Sequence, residues 1–187
     1  MQLIIALLVL KNKYLKRGGF EMKKIFLAAV VALLATPLFA SDMKFDAKVG
    51  YARMEGGING FVIGPAMYYS LYQDEAGFIK DVGVGLGLDF NMGKLAGSWV
   101  YNMLVGPEAR MEMPYSYVKL GFGYDYFRTK VLGVTVSNNA FGMKFGAGAL
   151  FKVAEGCKMG LDFTWAEKLT SGTAWTINIG PVVSFDF

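Results

Sequence analysis

Residues 175–187 read WTINIGPVVSFDF. Trp175, Ile177, Ile179, Pro181, Val183, Phe185 and Phe187 occupy the odd positions. Thr176, Asn178, Gly180, Val182, Ser184 and Asp186 occupy the even ones and are small or polar apart from Val182. Alternation with period two predicts a β-strand with one apolar face. An apolar face that runs to an aromatic at the last position is unusual for a strand at the surface of a soluble domain.

Working back from this stretch, the chain from Ser41 divides into eight such segments separated by turn residues. The first, 43–53, sets Phe45, Ala47, Val49 and Tyr51 against Lys44, Asp46, Lys48 and Gly50, and Glu55-Gly56-Gly57 turns the chain. The second, 60–71, carries Phe61, Ile63, Pro65, Met67 and Tyr69 on one face. The third, 80–90, sets Val82, Val84, Leu86, Leu88 and Phe90 against Asp81, Gly83, Gly85, Gly87 and Asp89, and Asn91 to Lys94 is expected to close it. In the fourth, 98–112, Trp99, Tyr101, Met103, Val105, Pro107 and Met111 oppose Glu108, Arg110 and Glu112. In the fifth, 116–128, Val118, Leu120, Phe122, Tyr124 and Tyr126 oppose Lys119, Gly121, Gly123 and Asp125. The sixth, 140–153, sets Phe141, Met143, Phe145 and Phe151 against Lys144, Lys152 and glycines. The seventh, 158–167, sets Met159, Leu161, Phe163 and Trp165 against Lys158, Gly160, Asp162 and Thr164. No window of 18 apolar residues occurs in this region, so spanning helices are not expected there, whereas each segment has the ~9–11 residues of a tilted membrane-crossing strand.

The 187 residues bound the chain to one folded domain. The formal charge of +4 is misleading. Residues 1–40 hold six of the 19 Lys/Arg and one of the 15 Asp/Glu, leaving 13 and 14 for the rest, so no nucleic-acid partner is implied. Met22-Lys23-Lys24 followed by the apolar run Ile25–Leu34 and by Leu38-Phe39-Ala40 reads as a secretory signal over 22–40, cleaved before Ser41. The alternative, an N-terminal membrane anchor, is disfavoured by the shortness of the run. Residues 1–21 precede the basic end where such a signal should begin. They read as a mis-assigned start or a leader extension. The lone Cys157 excludes an internal disulfide and is expected in a turn.

A soluble barrel of lipocalin type also alternates, with its apolar face inside. Here that face carries about five large residues per strand, too many for the interior of an eight-stranded barrel. The other face is rich in glycine with scattered charges, which suits a narrow lumen. With the N-terminus periplasmic, the outward residues at the outer edge are Tyr51, Phe61, Phe90, Trp99, Tyr126, Phe141, Trp165 and Trp175, an aromatic girdle of the kind found at a lipid–water interface. An even strand number puts both termini on one side, and closure leaves no edge unpaired in lipid. The expected fold is therefore all-β: an eight-stranded antiparallel up-and-down transmembrane β-barrel over 41–187, preceded by a cleaved signal peptide.

The eight segments, the signal and the terminal Val183, Phe185 and Phe187 together resemble the small eight-stranded outer-membrane β-barrels of Gram-negative bacteria, of the OmpA/OmpX type, barrel domain only. The resemblance implies a cell outer-membrane location, lipid and lipopolysaccharide as neighbours, a terminal Phe read by the barrel assembly machinery, and a monomer. It implies a structural or envelope-stabilising role.

Asp81, Asp89, Glu108, Arg110, Glu112, Lys119, Asp125, Lys144, Lys152 and Asp162 share the inward parity. Charges in a narrow interior must be paired or hydrated, so they form either a salt-bridge plug or an ion-selective water path. Tyr68, Val100, Leu104, Phe127, Leu150 and Val182 share that parity and would line an apolar patch, in a narrow channel for small or apolar solutes, or fill the interior. The apolar connection 129–138 is a candidate protruding hairpin, for a surface adhesin that binds by strand addition. No cofactor or metal is expected. The chain has no histidine, the commonest base for a nucleophilic serine and the commonest transition-metal ligand, so an enzyme is not expected. Gly83-x-Gly85-x-Gly87 lacks the helix that a dinucleotide fingerprint requires and reads as lumen-facing strand glycine.

Overall fold

A computed structural model describes residues 42–74, 76–131, 134–169 and 174–187. The expected signal (22–40) and the segment before it (1–21) lie outside these residues. Eight strands follow in order: β1 (Met43–Met54), β2 (Ile58–Gln73), β3 (Asp81–Leu95), β4 (Ser98–Glu112), β5 (Ser116–Val131), β6 (Val134–Ala154), β7 (Cys157–Lys168) and β8 (Trp175–Asp186). Each pairs antiparallel with its neighbours in the chain, and β8 pairs with β1 to close the barrel.

The register fixes the shape of the tube. Following Cα partners from Lys44 leads through Tyr68, Gly85, Glu108, Gly121, Lys144, Ala166 and Thr176 and returns to β1 at Met54, ten residues further on. With eight strands this stagger tilts each strand by about 40° from the barrel axis. Two facing glycine pairs, Gly50 with Gly180 and Gly106 with Gly123, lie on opposite sides of the ring, at the β1–β8 and β4–β5 seams. A Cβ on Gly50 would fall 2.3 Å from the Ile179 carbonyl oxygen, and one on Gly106 would fall 2.0 Å from that of Phe122. Only glycine lets the two backbones approach this closely at these bends.

The alternation has the sense expected for a membrane barrel. Val49, Ile63, Val84, Leu86, Val105, Leu120, Phe122, Phe145, Leu161, Phe163 and Ile179 are exposed on the outside, whereas the charged and polar partners on the same strands are buried. Leu88 is the exception, outward in parity but covered by its neighbours.

Two boundaries differ from expectation, and the 129–138 connection takes the hairpin form. β3 does not stop at Asn91–Lys94. It continues to Leu95, with Asn91 facing inward and buried, and the turn is Ala96-Gly97, both at positive φ (47° and 81°). This is a two-residue hairpin whose backbone matches strand twist. Cys157 is not in a turn but opens β7, opposite Ala154 and Phe185. The 129–138 connection is mostly strand: β5 and β6 pair out to Val131 and Val134, and residues 134–139 are exposed. On its other side β6 meets β7 only from Gly142 onward, so Val134–Ala140 is an open edge among the described residues.

Candidate functional site

The lumen holds the chemistry. Seven cations (Lys44, Lys48, Arg110, Lys119, Lys144, Lys158 and Lys168) and eight carboxylates (Asp46, Asp81, Asp89, Glu108, Glu112, Asp125, Asp162 and Asp186) are ion-paired there among the described residues. Near-neutrality is what a confined, water-poor interior demands of charged groups.

Nearest the termini, Lys44 reaches Glu112 (3.1 Å) and Asp81 (3.4 Å), and Lys158 reaches Glu112 (2.5 Å) and Asp186 (3.0 Å). Above them Arg110, the largest fully buried side chain, donates from one Nη to both oxygens of Asp46 (2.8 and 2.9 Å) and from the other to Glu112 (3.2 Å). Its guanidinium lies between two buried rings, 4.6 Å from the centre of Tyr117 and 5.4 Å from that of Tyr68. At mid-barrel Lys48 joins Asp89 (2.8 Å) on β3 to Asp162 (2.9 Å) on β7. Asp162 also takes Lys119 (2.7 Å) and the hydroxyls of Tyr117 and Thr164. Lys144 joins Asp89 (3.0 Å) to Glu108, which accepts from the Tyr68 hydroxyl (2.8 Å). Toward the hairpin end Asn91 donates to Asn102, Asn102 to Asp125, and Lys168 pairs with Asp125 (3.1 Å). All eight strands contribute.

Glycines make room for this network. A Cβ on Gly146 would stand 2.4 Å from the Lys119 side chain, and one on Gly148 would stand 2.5 Å from the Tyr117 ring.

Of the residues expected inside, Asp81, Asp89, Glu108, Arg110, Glu112, Lys119, Asp125, Lys144 and Asp162 are buried in the lumen. Lys152 is not. It is exposed at the terminal rim, opposite the like-charged Lys158 and just before the β6–β7 register shift between Lys152 and Ala154. Arg110 keeps Glu112 beside it (3.2 Å), but Arg110 and Lys119 reach away from each other. They are direct cross-strand partners, and their side chains diverge, Arg110 to Asp46 on β1 and Lys119 to Asp162 on β7. Lys44, Asp46 and Lys48 on the same inward face, and Tyr117, were absent from the expected charge set.

The inward apolar residues do not form a continuous path. Val100 packs with Met54, Ile58 and Phe127 at the hairpin end. Leu150 and Val182 pack with Tyr117 near the termini. Tyr68 and Leu104 are buried and belong to neither cluster. Above the network, Met54, Asn102, Phe127, Trp175 and Thr176 line an open cavity of about 370 Å³ at the mouth. The girdle aromatics Tyr51, Phe61, Trp99, Phe141 and Trp165 are exposed, and Phe90, Tyr126 and Trp175 are half-buried. Phe90 sits five residues short of the β3 end, in one row with Met103 and Tyr126, and stacks on Tyr101 (6.2 Å). At the terminal end, outside the barrel wall, the Ala76 N–H donates to the Asp74 carboxylate (2.9 Å) and holds its pKa below the ordinary value.

A closed ring of eight antiparallel strands, apolar outside and charged within, is the architecture of the small outer-membrane β-barrels, and this chain has that fold. Among solved structures it is similar to Neisserial surface protein A (NspA), with a TM-score of 0.60 at 12% identity over 79% of this chain and 98% of that one. It is similar also to Ail, the attachment invasion locus protein of Yersinia pestis (0.50, 16%, covering 76% and 97%), and to the outer membrane enzyme PagL (0.50, 12%, covering 76% and 99%). No family model and no curated protein matches the chain.

Proposed function

We propose that the chain is an integral outer-membrane protein whose barrel is closed by its own charges and whose role is structural, stabilising the envelope. One observation carries this reading: the ion pairs run across the lumen, linking Lys48 of β1 to β3 and β7 and Arg110 of β4 to β1, which supports a lumen closed by its own charges. The membrane location is supported by the exposed apolar belt on the outside of every strand, a surface that water would not tolerate at this extent. The interior apolar residues fall in two clusters separated by charge, which speaks against passage of apolar solutes. No catalytic role is proposed for this lumen, whose buried cations and carboxylates are paired with one another.

Conductance tests this. The barrel inserted in a planar bilayer is expected to be silent, with folding checked by a heat-dependent gel shift. Reproducible discrete openings of the unmodified protein would overturn the closed-lumen reading. Phe187 is proposed as the signal read by the assembly machinery. Deleting it is expected to lower the amount of assembled barrel in cells several-fold and to leave refolding in detergent unchanged.

A second reading, attachment to a partner by strand addition, is favoured by the open Val134–Ala140 edge of β6. Removing residues 129–138 is expected to leave the gel shift intact and abolish surface binding. Binding that survives the deletion would remove this reading.

A further inference from the structure

The cations of this barrel fall into two populations. Those inside are matched to carboxylates. On the outer faces of β3–β5, Lys94 and Arg128 are exposed and take part in no ion pair among the described residues. Moreover, the outward positions of these three strands, 82–94 in β3, 99–111 in β4 and 118–128 in β5, include no Asp or Glu at all. The two cations flank a column of aromatic rings. Lys94 is the cross-strand partner of Trp99, with its ammonium 4.8 Å from the ring centre. Arg128 is the partner of Tyr101. Trp99 stacks on Tyr101 (6.4 Å), and Tyr101 on Phe90 (6.2 Å).

Directly down the same three strands lies a groove of about 490 Å³ in the outer wall, lined by Val84, Gly85 and Leu86 of β3, Pro107, Ala109 and the inward-facing, buried Glu108 of β4, and Leu120 and Phe122 of β5. Its origin is local. Pro107 has no N–H to give to the ladder and stands next to the Gly106·Gly123 bend. The β4–β5 pairing accordingly breaks between Val105↔Tyr124 and Glu108↔Gly121. Small side chains at this break leave a furrow between the larger ones. Trp99 and Pro107 are eight residues apart, roughly 26 Å along the strand and about 20 Å in depth at a tilt of about 40°. That depth places the groove beyond the middle of an apolar band about 25 Å tall, where it meets the distal part of an acyl chain.

We infer that the β3–β5 face binds one phosphate-bearing membrane lipid, its headgroup phosphate on Lys94 and Arg128, its polar–apolar boundary on the Trp99–Tyr101 pair, and an acyl chain in the groove. Charge complementarity selects an anionic headgroup, and the groove selects a lipid rather than a free anion. Aromatic rings at the boundary serve both parts, with a face for the cation and for alkyl contact. The inference rests on the outer-membrane reading above.

The test uses the protein purified from outer membranes and exchanged into nanodiscs, with co-retained lipid measured by native mass spectrometry. Diphosphorylated lipid A is expected to be retained at least tenfold over phosphatidylethanolamine. The Lys94→Gln/Arg128→Gln double variant is expected to erase that preference, and Lys152→Gln at the other rim to keep it. Ala109→Trp, which fills the groove from the lipid side, is expected to weaken lipid A retention without altering the gel shift. A folded, inserted barrel with no lipid preference overturns the inference, and so does a preference unchanged in the double variant. Full displacement of lipid A by millimolar inorganic phosphate reduces the site to a bare anion patch and overturns it as well. Failure of the protein to enter nanodiscs at all would instead strike the membrane reading on which it rests.

Discussion

Arg110→Met is expected to destabilise the folded barrel by about 3–5 kcal/mol, the range for removing one partner of a buried ion pair. The side chain is essentially inaccessible, and its loss strands Asp46, whose ion-pair partner among the described residues is Arg110. Glu112 is less affected because Lys44 and Lys158 remain beside it. Met fills much of the arginine volume, so the loss reports charge rather than a void. The second half of the prediction separates an ion pair from mere packing. Arg110→Met combined with Asp46→Leu is expected to be markedly more stable than Arg110→Met alone, because the orphaned carboxylate is then gone. Urea unfolding in detergent micelles, followed by tryptophan fluorescence, gives both numbers. A single variant within 1 kcal/mol of the parent would show that the network is not what holds the interior.

Gly106→Val is expected to be still more damaging, with refolding yield falling to a small fraction of the parent. Overpacking a side chain against other side chains costs about 1–3 kcal/mol. Here the added atoms meet backbone: a Cβ at position 106 lies 2.0 Å from the Phe122 carbonyl oxygen and 2.5 Å from the Gly123 Cα. Neither can rotate away, so the β4–β5 seam must open. Gly97→Ala supplies the contrast. Its Cβ meets nothing within 4 Å, and the penalty is confined to the positive φ of 81°, about 1 kcal/mol. The gel-shift midpoint on heating ranks the two. Equal yields would mean that the close approach at Gly106 does not set the bend.

The strands were readable because alternation with period two is a property of each segment by itself. Parity along a strand also told which charges point inward, and it did so correctly wherever the strand stays in the tube. It failed at Lys152, the last residue of β6 before the register shift at the terminal rim, where the inward side of the strand is already open to solvent. Pairing was less accessible. Arg110 lies opposite Lys119 but binds Asp46, 64 residues away. Which strand faces which across the lumen depends on the ten-residue stagger, a quantity that belongs to the closed ring and to no single strand. Asn91 was assigned to a turn because Asn and Gly together read as turn residues. In fact the strand needs Asn91 inside, donating to Asn102, and the bend falls on Ala96-Gly97, where only one of the two residues is a turn former. Tyr117 stood at the first residues of a strand, where alternation is not yet established. Nothing marked it as the ring that stacks on Arg110 and donates to Asp162.

The partners of Lys48 have a kinetic consequence. Its ammonium meets Asp162, 114 residues later in the chain, and Asp46 waits for Arg110. Neither pair can form until β1 has been brought round to face β7 and β4 across the lumen. An unclosed sheet in a bilayer would therefore expose naked charge along with its two raw edges, and both penalties vanish in the same step. Partly assembled states are thus raised in free energy relative to both ends of the reaction. The barrel should then open in one all-or-none event with a long lifetime, and it should be slow to form, as expected when contacts between distant parts of a chain must come together at once.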